Sequence, residues 1–132
     1  MKNDKTDNHE QIFWEEIDRL FPDMIKAIAS LSKKSYLSIT NLRTGITWWS
    51  ERAMDYFGMK ENYTIRSMEK ANRKIHPDDV ATFKRGFKER VDGKNLDTAW
   101  EYRIQDGDSY NRFNAMARVL YDEQKQPFII II

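Results

Sequence analysis

The chain has 132 residues, of which 40% are apolar and 13% aromatic, enough for one domain with a real core. Its 22 basic and 21 acidic side chains cancel to a net charge of +1, so nothing forms the basic patch of a nucleic-acid binder. There is no cysteine, which excludes disulfides, thiolate catalysis and Cys-ligated metals and agrees with a cytoplasmic location. No stretch approaches the ~20 apolar residues that span a bilayer, and Met1-Lys2-Asn3-Asp4-Lys5 is not a signal peptide.

Residues 1–8 are polar and read as a disordered tail. From His9 to Ser32, Phe13, Ile17, Leu20, Met24, Ile28 and Leu31 recur at spacings of three and four, the mark of an amphipathic helix. Pro22 interrupts it, so a kink or two short helices meeting near Phe21 are expected. Residues 9–34 then form an N-terminal helical cap, and residues 35–132 the main domain. Tyr36 to Thr40 reads as a strand, residues 41–45 as a turn, and Ile46 to Trp49 as the returning strand. Ser50 can cap a short helix through Tyr56, and Gly58 can close it with a left-handed backbone. A second short helix is expected over Ile65 to Arg73. Pro77 suits the first position of a longer helix, and Asp78 and Asp79 complement its dipole. Val80, Phe83, Phe87 and Val91 form one apolar stripe on that helix, and Gly93 ends it. Residues 97–105 alternate, with Trp100, Tyr102 and Ile104 on one face. Asp106-Gly107 turns the chain into a long strand from Tyr110 to Tyr121, and Phe128 opens the last strand. A run of five bulky apolar residues at the end, Phe128 to Ile132, needs a sheet or partner to cover it. More protein is expected to follow.

This order predicts an α+β fold, one antiparallel sheet with helices packed on one face. Ile75-His76-Pro77-Asp78-Asp79, followed by Glu101-Tyr102-Arg103-Ile104 and Asp106-Gly107, resembles the signature of a PAS sensory-domain subgroup. Gly45-Ile46-Thr47-Trp48-Trp49-Ser50 and Tyr56-Phe57-Gly58 are similar to the family's second strand and first short helix. The resemblance covers roughly residues 34–132, with Arg112 where the subgroup often carries a Trp. It implies a five-stranded antiparallel sheet, preceded here by the N-terminal amphipathic helix, and curved around a cavity. In the family that this chain resembles, such a cavity holds haem, flavin, a small metabolite or nothing.

Candidate site residues carry bland readings beside sharper ones. His76 is read as a helix-start residue whose ring bonds to nearby backbone rather than as a metal ligand. Asp78 and Asp79 are read as capping groups facing solvent rather than an acid–base pair. Glu101 and Arg103 are read as an exposed or cross-strand charge pair. Met54, Phe57, Met68, Phe83, Phe87, Trp100, Tyr102, Phe113 and Ala115 are the candidates to line a cavity, and they suit a filled core equally well. Residues 78–91 contain no histidine, which disfavours haem, and a Cys-adduct flavin is excluded.

The expected function is a non-catalytic sensor or relay module of a bacterial signalling protein. The resemblance implies an output domain attached after Ile132, a diguanylate cyclase of GGDEF type or a histidine kinase. Ligand binding or dimer rearrangement would regulate it, with a homodimer formed through the N-terminal helix and outer sheet face. The competing reading is a cone-shaped, curved-sheet carrier or isomerase-like enzyme, which generally places its main helices before most of the sheet.

Overall fold

A computed structural model of the chain describes residues 4–31, 35–65 and 73–132. It is α+β and contains a five-stranded antiparallel sheet and a separate two-stranded ladder, called the ribbon below. The chain divides into two compact units, residues 1–67 and 68–132.

In the first unit, α1 (Asp4–Leu20) and α2 (Met24–Leu31) precede β1 (Ser38–Asn41), β2 (Ile46–Trp49), α3 (Glu51–Phe57) and β3 (Tyr63–Ile65). Helix α1 begins at Asp4, ahead of the expected start at His9, so part of the expected tail is helical. Pro22 does separate two helices, because a proline there clashes with the preceding turn. The break also re-phases the second helix. Asp23 takes φ 64, a left-handed turn, and the inward side chains of α2 become Ile25 and Ala29. Of the expected stripe, Phe13 and Ile17 are fully buried, but Met24 is 43% exposed and Leu31 is 87% exposed. A single continuous helix would have kept Met24 in phase with Ile17; the left-handed residue removes that register.

β1 and β2 pair antiparallel from Ser38↔Trp49 to Asn41↔Ile46, and β2 pairs β3 from Ile46↔Ile65 to Trp48↔Tyr63. Asn41 builds the turn, since its Oδ1 accepts from the N–H groups of Arg43 (3.0 Å) and Thr44 (3.3 Å). Ser50 caps α3 by accepting from Ala53 N–H at 3.3 Å, and Gly58 closes it at φ 66. Helix α1 lies against β2 and β3. Phe13 meets the Tyr63 ring edge-on at 5.5 Å, and Trp14 Nε1 donates to the Tyr63 hydroxyl at 2.6 Å. Burying side chains such as Phe13, Ile17 and Ile25 stabilises the unit by roughly 1.5–3 kcal/mol each. Of the helix expected over Ile65 to Arg73, Ile65 instead ends β3, residues 66–72 lie outside the described residues, and Arg73 is helical. The signal for β3 is short, three residues long, and adjoins no turn dipeptide.

In the second unit, a 3-10 turn (Pro77–Asp79) leads into α4 (Val80–Val91). Then come β4 (Trp100–Asp106), β5 (Ser109–Ala115), β6 (Arg118–Tyr121) and β7 (Pro127–Ile131). β4 and β5 form the ribbon, in register from Trp100↔Ala115 to Asp106↔Ser109. The long strand expected from Tyr110 to Tyr121 is broken at Met116-Ala117. The inward parity runs on through the break, with Phe113 and Ala115 half-buried, Ala117 2% exposed and Val119 8% exposed; what changes is the partner, β4 up to Ala115 and β7 from Arg118. The chain therefore leaves the ribbon before it pairs with β7. Phe128, Ile129 and Ile130 are each fully buried, so both faces of β7 are covered.

Candidate functional site

The start of α4 and the middle of β4 are joined by backbone and charge together. Ile75 makes an isolated antiparallel bridge to Ile104, and His76 N–H donates to Arg103 O at 2.9 Å. The His76 ring turns back on its own chain: Nδ1 accepts from Asp78 N–H at 3.1 Å, and the ring lies 4.6 Å from that of Tyr110. It caps the 3-10 turn as a serine would. Asp79 does not face solvent as a cap. Its Oδ2 accepts from Arg103 Nε at 2.8 Å and from Arg103 N–H at 2.9 Å, and its Oδ1 accepts from Arg103 Nη2 at 3.0 Å. This bidentate geometry is the strong form of an Arg–carboxylate contact. The Arg103 side-chain hydrogen bonds, reinforced by its backbone N–H, hold the Asp79 carboxyl down at about 2. Arg103 is thus paired with Asp79 rather than Glu101, which faces Arg112 across the ribbon at 3.3 Å. Sequence reading missed this pair because its members lie on different elements.

The candidate cavity residues fall into separate groups. Phe83 of α4 packs on β4, with its ring 4.8 Å from Tyr102, 6.1 Å from Trp100 and 6.5 Å from Phe87. Across the ribbon Phe113 stands opposite Tyr102 and Ala115 opposite Trp100. Met54 and Phe57 lie on α3 in the first unit, where Phe57 contacts Trp49 at 5.5 Å. Met68 lies outside the described residues. Burial pushes the Tyr102 hydroxyl up to about 12, against the opposing pull of the Arg90 charge.

The buried line of α4 is Phe83, Gly86 and Arg90; Val80, Phe87 and Val91 of the expected stripe are only half-buried. Gly86 is there because Trp100 comes so close. A Cβ at Gly86 would stand 2.9 Å from Trp100 Cδ1 and Nε1. Arg90 then lies over the Trp100 ring, 3.8 Å from its centroid. Spacing could have found Gly86 and Arg90, which follow Phe83 at three and seven, but a polar residue on an inward face reads as a surface residue. Among the described residues no His, Cys, Asp or Glu cluster could hold a metal ion, and no helix is long and apolar enough to cross a membrane.

The comparisons agree with this architecture. The family model for the PAS fold matches residues 46–132, so the chain belongs to the PAS family. No curated protein matches it. Among solved structures, it is similar to a sensory box histidine kinase/response regulator from Burkholderia thailandensis, with a TM-score of 0.55 and 18% identity over 80% of this chain and 78% of that one. It is also similar to the N-terminal domain of a diguanylate cyclase with PAS/PAC sensor from Marinobacter aquaeolei, at TM-score 0.57 and 16% identity over 72% of this chain and 87% of that one. A PAS domain from Colwellia psychrerythraea aligns at TM-score 0.52 and 18% identity, covering 83% and 92% of the two chains. At these identities the likeness is one of fold.

Proposed function

We propose that this chain is a cytoplasmic sensor or relay module that regulates an output domain attached after Ile132, either a diguanylate cyclase or a histidine kinase. The observation that carries the proposal is membership of the PAS family over residues 46–132, together with fold likeness to domains from a histidine kinase and a diguanylate cyclase. The module itself performs no chemistry; it biases the populations of two arrangements of whatever follows it. The aromatic group of Phe83, Phe87, Trp100 and Tyr102 is the segment that would respond to a ligand, since α4 and β4 meet there.

Residues 9–34 are proposed as the dimerisation segment. Ile12, Met24 and Leu31 leave apolar surface on α1 and α2 that a second copy would cover. Light scattering at micromolar concentration tests this part. The expected result is a dimer that Leu31→Asp converts to a monomer; a wild-type monomer removes the dimer. The regulatory part is tested by fusing residues 1–132 to a diguanylate cyclase catalytic domain. Deleting residues 9–34 or substituting Asp79→Ala should change cyclic-dinucleotide output, and an output indifferent to both would defeat the relay reading.

A further inference from the structure

Arg90 sits on the last turn of α4 and is 2% exposed. A buried guanidinium ordinarily faces a carboxylate, because desolvating the cation is costly and backbone dipoles offset only part of that cost. Here both hydrogen bonds of the side chain go to carbonyls, Nη1 to Gly86 O at 3.0 Å and Nη2 to Thr98 O at 2.7 Å. Its Nε is buried without a partner, and so is Nε1 of Trp100, the ring over which the guanidinium lies. Glu89 is the acid nearby, and its Oε2 stands 4.0 Å from Arg90 Nη1. That same oxygen accepts from Asn95 Nδ2 at 2.9 Å, and Asn95 takes φ 57. The loop thus engages Glu89 beyond hydrogen-bond distance of the guanidinium.

Gly86, Glu89, Arg90, Asn95 and Trp100 line an open cleft of about 330 Å³ with Thr82, Arg85, Thr98 and Ala99, and the two partnerless N–H groups are buried behind that lining. Its charged lining is two cations, Arg85 and Arg90, against Glu89. At ~30 Å³ per water the space suits a small molecule of several heavy atoms. We propose that this cleft binds a compact oxyanion, the carboxylate or phosphate group of a small molecule, through Arg90 and Trp100 with Arg85 at its mouth. An oxyanion has enough lone pairs to accept from both N–H groups at once, and a guanidinium's planar fork matches it. The exposed Glu89–Asn95 hydrogen bond forms the rim, and its side chains rotate to admit the anion. The inference goes beyond the relay reading, because occupancy is read on the chain alone and needs no output domain.

The test is a titration of the ¹⁵N-labelled chain, following the Trp100 indole N–H and Arg90 Nε–H resonances. Sodium succinate and sodium phosphate are the probes, each against sodium chloride at matched ionic strength. Both resonances should shift saturably with an oxyanion and not with chloride. Saturation by succinate alone assigns a carboxylate, and saturation by phosphate assigns a phosphoryl group. Arg90→Lys should weaken binding about tenfold or more, since an ammonium lacks the fork. Arg85 is exposed, so Arg85→Glu leaves folding intact; it should weaken binding several-fold, while Glu89→Gln strengthens it. Shifts that track salt alone overturn the proposal. So does saturable binding that Arg85→Glu and Glu89→Gln leave unchanged, an outcome that decides the matter even if Arg90→Lys does not fold.

Discussion

The two units bury polar groups in different ways. In the first, the buried polar side chains of β1 to β3 are neutral and matched. Thr40 and Thr47 share a hydrogen bond at 2.8 Å, Trp49 Nε1 donates to Thr64 Oγ1 at 2.8 Å, and Asn41 Nδ2 donates to Phe13 O at 3.3 Å. In the second, a guanidinium is buried on Trp100, and the helix start is tied to β4 by an ion pair. Among the described residues, the buried side-chain atoms left without a partner are Arg90 Nε and Trp100 Nε1 in that second unit and His9 Nδ1 on α1 in the first, outside its sheet. Neutral, matched groups fix one arrangement and ask nothing further of their surroundings. The ion pair between Asp79 and Arg103 makes the second unit the one whose stability should respond to acid pH.

The contrast can be broken most forcefully at Phe13. Phe13→Ala should destabilise the first unit by about 3–5 kcal/mol, measured by denaturant unfolding, because the side chain is fully buried between helix and sheet. Ile25→Ala should cost about 2–5 kcal/mol while Met24→Ala stays within about 0.5 kcal/mol. Equal effects would mean that α2 keeps the phase of α1. In the second unit, Gly86→Ala should cost about 1–3 kcal/mol despite alanine's better helix propensity, since its Cβ would collide with Trp100. A stabilised variant would show that Trp100 yields easily.

The finest distinction is pH dependence. The folded Asp79 carboxyl titrates at about 2, below its ordinary value of 3.8, so the contact with Arg103 stabilises the fold above that ordinary value. The contribution fades as pH falls from about 4 through about 2. Amide exchange should show β4 losing protection across that window while β1 and β2 retain theirs. In Asp79→Asn the β4 loss at acid pH should vanish, with protection lower at neutral pH. Parallel loss in both units would erase the contrast.

Much of this was legible in the sequence. The resemblance to PAS domains rested on ordered fragments, and the Ser50 cap, the Gly58 closure and the Ile46–Trp49 strand appear where local chemistry put them. Those features depend on a residue and its near neighbours. What sequence reading missed depends on distant partners or on backbone phase. The α2 phase turns on one left-handed aspartate, the strand break on a change of partner from β4 to β7, and the Asp79–Arg103 pair on two elements meeting. Of the candidate cavity residues, the α4 and β4 aromatics cluster, while Gly86 and Arg90 were passed over because a glycine and a cation do not look like core.

The interruption at Met116-Ala117 has a mechanical side. An unbroken strand from Tyr110 to Tyr121 would behave as one stiff rod, and a twist at its ribbon end would arrive at β7 undiminished. With no ladder bonds across Met116-Ala117, the ribbon and the β6–β7 hairpin share no continuous ladder along this chain, and a twist of one is not carried to the other by strand pairing.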